Sequence, residues 1–213
     1  MKRSFQYLLV LNVLPNLAIV AACAAALTGS YALSGGKMDF FKTYFDTLPV
    51  MLILIFFMLA FGLSTSNLQV ALSFGARRRD YFWALQGAIL TYTAGAAAIQ
   101  TAASLLTGAL NLPRPELLGG TRLLVGFPLA CLALTAVGCM AGLLYVRSRS
   151  WGAVVMVSTM VLGVIVVVMF LLVINDKVGL WGDLPLILTA LMICLLVVSE
   201  LVLYRAIARA VVK

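Results

Sequence analysis

Histidine is absent from this chain, and only seven of its 213 residues are acidic. With no imidazole and so few carboxylates, it has no parts for a zinc protease, a histidine-assisted hydrolase or a classical proton relay. There is no G-x-x-x-x-G-K-[ST] stretch, which excludes phosphate binding by a P-loop, and no G-x-S-x-G elbow. No carboxylate sits near the middle of an apolar run, so a carboxylate-driven secondary transporter is poorly supported. An intramembrane enzyme would need a nucleophile paired with a base, and none is evident. The four cysteines, Cys23, Cys131, Cys139 and Cys194, fall inside apolar runs without paired spacing. They read as small buried hydrophobes and not as disulfides or metal ligands.

What the chain does have is apolar surface: 64% hydrophobic residues, 10% charged, mean hydropathy +1.13. A soluble domain of this length could not cover so much apolar surface. A helix crossing roughly 30 Å of hydrocarbon needs about 20 mostly apolar residues. Six runs meet that length, at 7–28, 47–66, 84–109, 123–146, 151–174 and 184–204. Each is expected to be helical, because an isolated strand in lipid would leave its backbone groups unpaired. The expected fold is therefore all-α: a polytopic membrane protein whose residues 1–213 form a single six-helix transmembrane domain.

The connections between these runs are short. Residues 29–46 form the longest, followed by 67–83, 110–122, the "RSRS" of 147–150, and 175–183. Pro113 and Pro115 mark a break in the third of these. Basic residues in short loops favour the cytoplasm. With six spans and the N-terminus inside, the inner side holds Lys2, Arg3, Arg77, Arg78, Arg79, Arg147, Arg149, Arg205, Arg209 and Lys213, against Asp80 and Glu200. The outer side then balances to zero, so the whole net charge of +8 lies on one face. Both termini are expected to be cytoplasmic. Glu200 is expected to pair with a nearby arginine. The run Val20 to Cys23 imitates a lipoprotein cleavage box, but the first run is long enough to be kept as a span.

The stretch "SFGARRRDYFWALQ", residues 73–86, concentrates charge in this apolar chain. Anchoring against anionic lipid accounts for three arginines, each worth about 1 kcal/mol near such a surface. The surroundings add more. Polar residues from Ser64 to Gln69 are expected to close the second span, and Leu68, Ala71 and Leu72 to form one face of a short helix. Gly75 allows a tight turn, and Tyr81, Phe82 and Trp83 suit the headgroup layer at the start of the third span.

"SFGARRRDYFWALQGAIL" resembles the segment between the second and third spans of ABC-2-type permeases, the membrane subunits of bacterial ABC exporters. Six spans, inner termini and a basic N-terminus fit that layout over the whole chain, while the motif itself covers about 73–87. The resemblance implies a permease subunit in the bacterial cytoplasmic membrane that is not itself an enzyme. It would bind no cofactor or metal, leaving ATP and Mg on a separate ABC ATPase subunit. The loop 67–83 would be the coupling element, with Ser73, Phe74, Gly75, Ala76, Arg77, Arg78, Arg79 and Asp80 as docking residues. Six spans make half of the usual assembly, so a second copy or a sister permease is implied beside the lipid bilayer. The nine residues at 175–183 are short for the family, which points to a compact member. Nucleic acid is not an expected partner, because the charges sit in separate loops without a binding motif.

Two other classes remain open. One is the six-span substrate-binding subunit of a vitamin-uptake transporter, which needs a polar pocket at its outer face. The other is a non-transporting assembly factor or sensor. Among the few polar residues at depth, Gln100 near the middle of the third span is the candidate pathway residue. Asn12 and Asn16 flank Pro15, and one or the other is expected to satisfy the carbonyl that it frees. Gly138 and Gly142 form a G-x-x-x-G step, read as helix packing within the chain.

Overall fold

A computed structural model describes residues 6, 8–33, 39–73, 77–109, 123–174 and 184–208. Among these residues only Arg77 and Ser148 lie outside a helix. The helices are α1 (Leu14–Leu33), preceded by a π-helical turn over Leu9–Val13, then α2 (Asp39–Ser73), α3 (Arg78–Ala109), α4 (Leu123–Arg147), α5 (Arg149–Ile174) and α6 (Leu184–Ala208). Each coincides with one of the six apolar runs. Four contain described stretches long and apolar enough to cross a bilayer: Leu48–Leu72, Arg78–Leu106, Gly126–Arg147 and Thr189–Ala208. α1 is apolar over the shorter Leu14–Ser30.

The helix ends differ from the sequence expectation, and the reasons are local. α2 does not stop at its polar residues. Thr65 and Ser66 both donate their hydroxyl protons to the Gly62 carbonyl, at 3.0 and 2.7 Å. Hydroxyls satisfied by their own helix need no water, so the helix runs on to Ser73. The separate short helix expected after residue 66 is instead the last two turns of α2, with Asn67, Leu68 and Ala71 buried. Of the expected loop 67–83, residues 67–73 belong to α2 and 78–83 to α3. At "RSRS" the connection is Ser148 alone. At Pro15 the backbone widens in advance, with the Leu14 N–H donating to the Leu9 carbonyl in the five-residue spacing of a π turn. Asn16 is not spent on the freed carbonyl; its amide reaches across to the Tyr92 hydroxyl of α3 at 3.4 Å.

α4 is the central helix and packs against α2, α3, α5 and α6. It does so because it is narrow: Ala130, Cys131, Ala133, Ala136, Cys139 and Ala141 are buried small residues. The Gly138–Gly142 step lies on α2, where a methyl added at either glycine would come within 2.6 Å of a carbonyl, Phe57 O or Phe61 O respectively. The Cys139 thiol points at the Ala60 carbonyl at 3.6 Å in the same seam. The G-x-x-x-G step thus packs within the chain. Phe56, Phe57, Phe127 and Tyr92 fill the core around it.

α4 and α5 form an antiparallel hairpin. Gly152 lies against the backbone of Tyr145, and Gly163 against Leu134 about three turns away. The outer faces stay apolar: Val154, Val157, Val161 and Ile165 on α5 are all more than half exposed. α6 exposes Ile187, Val197, Leu201 and Tyr204 to a similar degree. A molecule carrying such surfaces needs lipid around it.

Candidate functional site

The described residues among those singled out at 73–80, Ser73 and Arg77 to Asp80, gather at one end of the bundle. α2 runs parallel to α4, as the successive contacts Phe57–Gly138 and Phe61–Gly142 require. Its C-terminal end therefore lies beside the C-terminal end of α4 and the start of α5. α3 begins at this end and α6 finishes here. Arg77, Arg78, Arg79, Arg147, Arg149 and Arg205 all fall within these helix ends, against Asp80 and, two turns deeper, Glu200.

The start of α3 is fastened to the end of α6 by three contacts spaced four residues apart on both helices. Outermost, Arg78 Nη1 donates to the Ala208 carbonyl at 3.0 Å, placing a cation on the negative end of α6. One turn in, the Phe82 and Tyr204 rings meet edge to face, with centroids 5.5 Å apart. One further turn in, the Gln86 amide donates to the Glu200 carboxylate. Glu200 thus takes an amide partner on α3, not the arginine expected of it, because residue 200 faces residue 86 in this antiparallel register.

The predicted docking residues divide. Phe74, Gly75 and Ala76 lie outside the described residues. Ser73 ends α2, and Arg77 precedes α3, accepting the Tyr81 N–H on its carbonyl at 3.0 Å. Arg77, Arg78 and Arg79 are exposed, Asp80 is half-buried, and Tyr81 is fully buried. Arg78 and Arg79 with Phe82, Trp83, Tyr204, Ile207 and Ala208 line a cleft of about 540 Å³. Phe82 was read from the sequence as an interfacial aromatic; its role in holding α6 was not. Tyr204 was missed, although an aromatic followed by Arg205 at the close of the last apolar run is an interface signal.

The α4–α5 hairpin supplies the neighbouring basic corner. Arg149 Nε donates to the Tyr145 hydroxyl at 3.0 Å, and that bond raises the guanidinium above its ordinary pKa. Tyr145 in turn packs edge to face on Phe61 of α2 at 5.7 Å.

Gln100 lies four turns deeper along α3 than Gln86, turned into the bundle between buried Ala96 and Ala103. It is 5% exposed, and neither its amide nitrogen nor its oxygen has a hydrogen-bond partner. Thr91, Thr93 and Thr101 on the same helix return their hydroxyl protons to carbonyls one turn back, so their polarity is spent locally. No cluster of three or more metal-ligating side chains occurs among the described residues.

Compared with known proteins, the chain matches no family model, no curated protein and no solved structure.

Proposed function

We propose that this chain is the membrane subunit of an ABC-type exporter, with six spans, both termini cytoplasmic, and ATP hydrolysed by a separate subunit. The observation that carries the reading is the basic, aromatic start of α3, from Arg77 to Trp83, at the end of the bundle where six arginines collect. Arginine excess favours the cytoplasmic side, where an ATPase would be found. The resemblance of "SFGARRRDYFWALQ" to the coupling segment of ABC-2-type permeases points the same way.

The mechanics follow from the contacts. Force applied at Arg77 reaches α3 directly through its first turn, where the Arg77 carbonyl accepts the Tyr81 N–H. The three rungs to α6 make α3 and α6 move together, so the pull spreads over two helices. Gln100 then lies on a moving helix, as an unpartnered amide in an apolar interior. Leaving such a group unpaired costs about 1–3 kcal/mol, which water or a polar solute in the pathway would relieve. A second copy or a sister permease would complete the pore.

Reconstitution with the partner ATPase tests the reading. Replacing Arg77, Arg78 and Arg79 together by alanine is expected to abolish stimulation of ATP hydrolysis by the membrane subunit. Full stimulation by that variant would rule out docking through this segment.

A further inference from the structure

We infer that the cleft between the start of α3 and the end of α6 is a binding site for one anionic phospholipid. The inference does not depend on the transporter reading. Its floor and walls are aromatic and aliphatic: Phe82 and Trp83 from α3, Tyr204 and Ile207 from α6. Its rim carries two guanidinium groups, Arg78 and Arg79, and among the described residues no acidic side chain lines it. Arg78 spends one Nη1 proton on the Ala208 carbonyl, and a guanidinium has five N–H donors, so both arginines still present donors to the cleft. Paired guanidinium forks match the oxygens of a phosphodiester better than ammonium groups would.

The occupant is fixed by what lies below the rim. Trp83 is 52% and Tyr204 58% exposed, and the same side of the two helices continues as exposed Leu90, Leu201 and Val197. The cleft therefore opens at one end toward charge and along its length onto a surface that lipid must cover. A phosphate held by Arg78 and Arg79 would place a glycerol backbone against Trp83 and Tyr204, and its chains along Leu201 and Leu90. A soluble phosphoester fills only the rim. A volume of about 540 Å³ is enough for a headgroup and its glycerol.

The test is native mass spectrometry of the full chain in detergent, titrated with phosphatidylglycerol or phosphatidylcholine. No ATPase is present, so its outcome is separate from that of docking. Wild type is expected to retain one phosphatidylglycerol at least tenfold more tightly than phosphatidylcholine. Arg79→Gln is expected to lower that affinity about fivefold, which is the weight of one arginine at an anionic surface. Trp83→Ala is expected to weaken retention of both lipids, and Arg147→Gln, at the same end but outside the cleft, to change it less than twofold. Equal losses from Arg79→Gln and Arg147→Gln would mean diffuse attraction and overturn the site. Equal retention of the two lipids, or displacement of phosphatidylglycerol by millimolar glycerol 1-phosphate, would overturn it as well.

Discussion

The glycines of the bundle form a graded series whose stability effects are readable from what a methyl group would meet. Adding a Cβ at Gly29 or Gly62 meets nothing within 4 Å. Alanine there gains only helix propensity, about 1 kcal/mol. At Gly95 the new methyl meets the tip of the Leu17 side chain, which can turn aside. At Gly138 and Gly142 it meets the carbonyls of Phe57 and Phe61 at 2.6 Å. That is roughly 1 Å short of an ordinary contact, so α2 and α4 must separate. Overpacking of about 1–3 kcal/mol, less the propensity gain, leaves a net loss of about 0–2 kcal/mol. At Gly152 it falls on the Cα and N of Tyr145, backbone that cannot turn aside, in a hairpin joined by Ser148 alone. There the loss should exceed about 3 kcal/mol. The assay is thermal unfolding followed by a thiol-reactive fluorophore. Cys131 and Cys139 are buried and report on unfolding; Cys23 and Cys194 are exposed and are first replaced by serine. At about 2–4 °C per kcal/mol for a chain of this size, Gly152→Ala should lower Tm by at least about 6 °C. Gly138→Ala and Gly142→Ala should lower it by up to about 8 °C, and Gly29→Ala should leave it unchanged or raised. A Gly152→Ala protein as stable as its parent would refute the packing of α5 on α4.

Other perturbations test single contacts. Gln86→Leu strands the half-buried Glu200 carboxylate and should cost about 3 kcal/mol, whereas Glu200→Gln keeps a hydrogen bond and should cost under about 1 kcal/mol in the same thermal assay. Gln100→Leu removes an unpartnered buried amide, so it should raise Tm while lowering solute flux; a lower Tm would mean that the amide has a structural partner. Arg78→Ala uncaps α6 and should speed amide exchange in its last turn around Ala208, without touching Gly152 or its hairpin.

How much of this was legible beforehand depends on the physics of each feature. The six helices follow from apolar length, because lipid forces backbone pairing onto each segment separately. Their ends do not follow. Ser64, Thr65 and Ser66 look like the close of a span, yet two of them bond to Gly62 inside the helix and let it continue. Nor does apolar patterning tell which face packs inward, since a lipid-facing valine such as Val157 and a core residue such as Val137 are equally apolar. Small residues carried that information better, and the Gly138–Gly142 step indeed marks the close contact of α4 with α2. At the candidate site, the arginines and aromatics of α3 stood out by composition. Their partners on α6 did not, because Arg78 and Ala208 are 130 residues apart in sequence and only the antiparallel register brings them together. The same register explains why Glu200 meets Gln86.

The claim that the Ser73–Asp80 segment couples this subunit to an ATPase is tested most directly by affinity purification from native membranes in mild detergent. Co-eluting proteins would be identified by mass spectrometry for wild type and for the Arg77, Arg78, Arg79 triple alanine variant. The account predicts an ABC ATPase with wild type and its loss from the variant. No ATPase with either protein would contradict the transporter reading, and an ATPase retained by both would contradict docking through the arginines.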